Sequence, residues 1–195
     1  MSENNKSHEL ELVVALTGMA KMYPEGVSFQ AFVLQLGFSM TPPTLPLPAG
    51  MPKGTVKECY TNCFNWKYKN QENPLTYCEG YAIGRLGLPV LHAWLVYPDG
   101  KVVDPTWCGE SDYDDAEPKW TPTPGKAYLG IPFDFDYVMK TARKSKHYGV
   151  IDNHTNHFSL VERWHAAWKD GKSFTEGLEA TWQARSDAVL GEANG

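Results

Sequence analysis

The chain has 195 residues, 42% hydrophobic and 13% aromatic, enough to bury one sizeable core, and a single domain over residues 1–195 is expected. Lys and Arg number 18 against 23 Asp and Glu, a net charge of -5, so nucleic acid is not indicated, because phosphate binding favours a basic excess. No apolar run approaches the roughly 18 residues of a membrane span, and "MSENNKSHELEL" lacks the basic and apolar regions of a signal peptide; a cytoplasmic protein with no membrane partner is expected.

In chain order, residues 8–22 read as a helix with Leu10, Val13, Val14, Leu16 and Met19 near one face and Ser7 as its cap. "FQAFVLQLG" reads as a second short helix ending at Gly37. "TPPTLPLPAGMPKGT" holds five prolines and two glycines in fifteen residues, which excludes a helix or a central strand and marks a long irregular connection. "VKECYTNCFNWKYKN" fits a helix whose N-terminus lies near Thr55 to Cys59, and "TYCEGYAIGR" alternates like a strand. "VLHAWLVY", "PDG" and "KVVDPTW" read as strand, turn and strand, with Gly100 supplying a positive φ.

"CGESDYDDAEPKWTPTPGK" is acidic and proline-rich, hence a surface loop. "YLGIPFDFDYVMKTARKSK" reads as an apolar turn and then a helix capped near Asp134. "FSLVERWHAAWKDG" and "SFTEGLEATWQARSDAVL" read as two more amphipathic helices, and residues 191–195 as a tail. Helices at both ends of a hairpin-rich middle indicate an α+β fold.

The hairpin carries the chemistry. With the turn centred on Asp99, His92 faces Thr106 and Asp104 sits one same-face step away; a one-residue shift puts His92 and Asp104 directly opposite. Cross-strand and diagonal neighbours lie about 4.5 to 8 Å apart at Cβ, a gap that His and Asp side chains close with a hydrogen bond. An imidazole oriented by a carboxylate is the base half of a triad. The nucleophile then belongs where its anion is favoured, and a helix N-terminus offers partial positive charge and free N–H groups.

Cys59 fits best; Cys63 lies one turn deeper and Cys78 lies within a strand. Glu58 works against this placement unless its carboxylate points away. The cysteines at positions 59, 63, 78 and 108 are too sparse for a disulfide scaffold and lack the paired-knuckle spacing of structural zinc. "NHTNH" and His165 read as polar surface rather than metal ligands, and no metal or cofactor is expected. Asn62 or a backbone N–H near Cys59 is a candidate oxyanion donor. Trp94, Trp107 and Trp120 are candidates for an aromatic pocket, with core packing the plainer use.

"ECY" opening a helix, then "GLPVLHAW" and "GKVVDPTW", resembles the core of the transglutaminase-like, papain-like cysteine superfamily. More narrowly, "CYTNCF", "YCEGYA", "HAWLVYPDGKVVDPTW" and "YLGIPF" resemble a group of small uncharacterised bacterial and phage proteins of that kind. The resemblance implies a papain-like core over residues 54–140, with a central helix packed on a small antiparallel sheet, and leaves residues 1–40 and 155–190 as helical appendages. It implies the catalytic order Cys59, His92, Asp104, sets Cys78 at a position usually held by an aliphatic residue, and gives Glu79 a supporting or substrate-facing role.

The expected activity is acyl transfer or hydrolysis at an amide, isopeptide or similar carbonyl, through a thioester on Cys59. The partner would be a protein, peptide or small amide substrate. The alternative is a non-enzymatic binding module that keeps the fold, with the segments 42–52 and 112–117 as contact surfaces.

Overall fold

A computed structural model describes residues 3–23, 27–43, 46–84, 86–108 and 124–172. The expected helix over 173–190, Trp120 and most of the acidic loop lie outside them. The order is α1 (Glu3–Lys21), α2 (Phe29–Leu36), β1 (Phe38–Met40), α3 (Cys59–Lys69), β2 (Thr76–Ile83), β3 (Pro89–Val96), β4 (Val102–Val103), β5 (Ala127–Phe133), α4 (Phe135–Ser145) and α5 (Ser159–Lys169). The fold is α+β. Its strands form one antiparallel sheet in the order β1-β5-β2-β3-β4.

Local chemistry accounts for most boundaries. The Ser28 hydroxyl accepts from the Ala31 N–H to open α2, and Gly37 closes it by donating to the Val33 carbonyl. Asp134 caps α4 by accepting from the Tyr137 N–H. Gly100, at φ 84°, turns the chain between β3 and β4.

Three expectations change. First, α1 begins at Glu3, so Ser7 lies inside it, and its buried pair is Leu12 and Leu16, while Leu10 and Val14 face outward. Apolar residues occur all round this helix, so periodicity alone did not choose the face; contact with α2, β2 and β5 does. Second, "YLGIPF" is no turn but most of β5, buried throughout between β1 and β2. Gly130 reads as a turn former, yet it stands opposite Gly80, where a side chain at 130 would run into the Trp94 ring. Pro132 lies beyond the last pair that β1 makes. Third, "KVVDPTW" pairs with β3 only through Val102 and Val103, because from Asp104 the chain turns away ahead of Pro105.

β1 was not anticipated. Its extension at Thr41 donates to the Gly100 carbonyl and accepts from the Val102 N–H, so the sheet's two edges meet. Two cores result. Trp94, Cys78, Ala82, Val96, Met40 and Tyr128 fill one sheet face. The other carries the larger core, in which Leu12, Leu16, Phe32, Val138, Leu160 and Trp164 from the helices meet Tyr77, Leu95, Ile131 and Phe133. Residues of α1, α2 and α5 share this core, and Phe32 meets Trp164 edge to face at 5.4 Å. No described helix is long and apolar enough to cross a membrane.

Candidate active site

Leu95 pairs with Val103 and Val96 with Val102, which centres the turn on Asp99 and sets Asp104 one same-face step from the position opposite His92. The two side chains meet: His92 Nε2 lies 2.7 Å from Asp104 Oδ2, with both residues buried. Asp104 is held on all sides. Its Oδ1 accepts from the backbone N–H groups of Thr106 and Trp107 at 2.9 and 3.0 Å, and its Oδ2 accepts also from the Tyr128 hydroxyl at 2.9 Å. Four donors on one buried carboxylate make a rigid anion.

Burial is the strongest single influence on His92 and would lower its pKa. The charge and hydrogen bond of Asp104, with a smaller contribution from Cys59, outweigh it together and push the imidazole up to about 9. For Asp104, burial opposes ionisation, but His92 and the hydrogen-bond donors hold the carboxyl below its ordinary range. Trp107 lies flat over the imidazole, ring centres 4.0 Å apart and planes 11° from parallel, a geometry that favours the charged ring.

Cys59 is the first residue of α3 and lies near the His92 side chain, close enough for its thiol to add to the upward pull on the imidazole. Asp104 occupies Nε2, which leaves Nδ1 as the ring nitrogen for the thiol. β4 ends at Val103, so the outer edge of β3 is open alongside His92, and there the deeper thiol, Cys63, donates to the Ala93 carbonyl at 3.4 Å. The remaining cysteines are poor nucleophiles. Cys63 is fully buried, and burial raises its pKa well above the ordinary thiol value; burial also lifts Cys108, to about 12.

The supporting residues fall differently from expectation. Asn62 donates through Nδ2 to the Thr55 carbonyl at 2.7 Å and to Thr106 Oγ1 at 3.0 Å, and accepts from the Thr55 N–H. Both amide hydrogens are engaged, so Asn62 is no oxyanion donor. It ties the helix bearing Cys59 to the turn bearing Asp104, with the Gly54 N–H donating to the Pro105 carbonyl beside it. Glu79 is no substrate contact either: it is fully buried on the sheet face opposite His92 and accepts from Tyr77 Oη, Val150 N and Ile151 N. Trp94 is core, fully buried, with its indole N–H donating to Met40 Sδ. Of the two described aromatic pocket candidates, Trp107 stacks on the imidazole as a partly exposed side chain.

Tyr128 escaped the sequence reading because its segment looked like a turn; an aromatic with a polar tip in an apolar run was the available signal. Tyr128→Phe removes a donor from Asp104 and the acceptor of the Gly125 N–H at 3.1 Å. A loss of about 1–3 kcal/mol in unfolding free energy is expected, and an unchanged urea midpoint would argue against this role. Among the described residues, no group of three or more His, Cys, Asp or Glu side chains is placed to hold a metal. A cleft of about 370 Å³ runs along α3 past Lys53, Asn62, Trp66, Lys69 and Pro105. No protein-family model matches the chain, and neither a curated protein nor a solved structure does.

Proposed function

We propose that the chain is a cysteine enzyme of papain-like, transglutaminase-like type that cleaves or transfers acyl groups at an amide or similar carbonyl. The observation that carries this reading is the buried His92–Asp104 pair, 2.7 Å apart, with Cys59 at the start of α3 beside the imidazole. With the shared proton on the imidazole, Cys59 Sγ attacks the carbonyl carbon as a thiolate. Glu58 gives α3 no side-chain cap, so the N–H groups of its first turn are placed to meet the developing oxyanion. The tetrahedral adduct collapses with the C–N bond breaking, and His92 gives its proton to the departing amine. That leaves a thioester on Cys59. Water, or an amine, attacks it while His92 takes the incoming proton; the C–S bond breaks and the thiolate–imidazolium pair returns.

Alkylation tests the reading without a known substrate. Limiting iodoacetamide at neutral pH, followed by peptide mass spectrometry, is expected to label Cys59 well ahead of Cys63, Cys78 and Cys108. Uniform or absent labelling of Cys59 would remove the nucleophile and favour a binding module on the same fold.

A further inference from the structure

We infer that the cleft along α3 is a substrate subsite that takes an acidic peptide segment flanking the scissile carbonyl; the inference rests on the nucleophile proposed above. Cys59, Asn62, Trp66 and Lys69 follow one another at i, i+3, i+7 and i+10, so they share one face of α3 with Cys59 at its head. Helical side chains lean toward the helix N-terminus, which tilts this row toward the thiol. Asn62, Trp66 and Lys69 line the cleft together with Lys53 and with Pro105, the residue after Asp104. The cleft therefore begins at the turn that carries the triad carboxylate and runs away from it along the helix.

The charge of the cleft has one sign. Lys53 and Lys69 both line it and none of the described lining residues is acidic, although the chain as a whole carries -5. Lys69 meets no carboxylate among the described residues. A lysine in the last turn also suits the negative end of a helix, but that accounts for Lys69 alone; Lys53 comes from the connection before α3. The walls are fixed. The Gly54 N–H donates to the Pro105 carbonyl at 2.8 Å, Asn62 clamps Thr55 and Thr106, and a side chain at Gly54 would run into Asn62. Trp66 is partly exposed while packed on the core, an apolar wall beside the cations. Asn65 also lines the cleft; its exposed amide has no partner among the described residues and can both donate to and accept from a peptide group. From Cys59 to Lys69 the helix rises about 15 Å, and an extended chain covers about 3.5 Å per residue. A carboxylate three or four residues from the reacting carbonyl thus reaches the lysines.

Affinity alkylation of the full chain tests this with two probes, a chloroacetyl-Gly-Gly-Glu amide and its Gln counterpart, which differ by one carboxylate. Either probe forms an S–C bond to the Cys59 thiolate and releases chloride, and peptide mass spectrometry gives the rate at Cys59. At low salt the Glu probe is expected to react about fivefold faster than the Gln probe, an advantage that added salt erodes. Lys53→Gln and Lys69→Gln should each reduce that ratio, the double variant should bring it to about one, and Lys69→Arg should keep it. The ratio is internal to each protein, so a variant that disturbs Cys59 itself slows both probes alike. Equal rates for the two probes in the wild-type protein overturn the subsite, as does an advantage that survives the double variant. A Cys59 that iodoacetamide labels readily while both probes react at one rate removes the subsite and leaves the nucleophile; a Cys59 that none of the three reagents labels removes both.

Discussion

Asp104→Asn is expected to move the His92 titration from about 9 to below the ordinary 6.5. The asparagine oxygen can still accept from Thr106 N and Trp107 N, but an NH2 group now faces His92 Nε2 where Oδ2 stood. That group donates, so Nε2 must be the unprotonated nitrogen and Nδ1 must carry the hydrogen. The imidazole then presents a donor to Cys59 and has no means of taking its proton. Burial, no longer opposed by a carboxylate, acts on His92 in the downward direction. On any substrate found, the rate should fall by about 10³–10⁴-fold, the scale seen when a triad histidine is held in the wrong tautomer. Nitrogen-detected NMR of the six histidines across pH reads the tautomer and the titration without a substrate. A His92 that still titrates near 9 in the variant would mean that Asp104 does not set its charge.

The hairpin was legible because its determinants are local. Gly100 fixes the turn, alternation fixes the faces, and together they bring His92 to Asp104; α3, α4 and α5 likewise announce themselves by period, and α4 also by its Asp134 cap. What escaped is non-local. Gly130 and Pro132 are turn residues by any local rule, yet both lie in β5, which pairs along its length with β2 and where the Trp94 ring and the Glu79 carbonyl claim the space that a side chain at 130 would fill. The meeting of the sheet's edges at Thr41, the reach of Tyr128 to Asp104 and the clamp made by Asn62 all join residues far apart in the chain. Cys59 could be placed at a helix start from sequence, but its contact with His92 depends on β4 stopping at Val103, which Asp104 and Pro105 bring about together.

Glu79→Ala is expected to cost about 3–5 kcal/mol, because Tyr77 Oη, Val150 N and Ile151 N lose their common acceptor inside the core. Against the 5–15 kcal/mol typical of a folded domain this is a large loss. The pH dependence is more specific. Burial lifts the Glu79 carboxyl to about 7 from 4.5, against the pull of its three donors. A folded pKa above the unfolded one means a contribution that is full below about 4.5 and is lost as pH rises through about 7, roughly 3 kcal/mol for a shift of that size. His92, lifted from 6.5 to about 9, obeys the same sign one step higher: its contribution is full below 6.5 and fades through about 9. Unfolding free energy should therefore descend in two stages between pH 5 and pH 10. Glu79→Gln, neutral in both states, is expected to remove the lower stage and keep the upper; Asp104→Asn should remove the upper and keep the lower. Chemical denaturation at half-unit pH intervals distinguishes them, and a single stage common to all three proteins would show that neither buried group governs the fall.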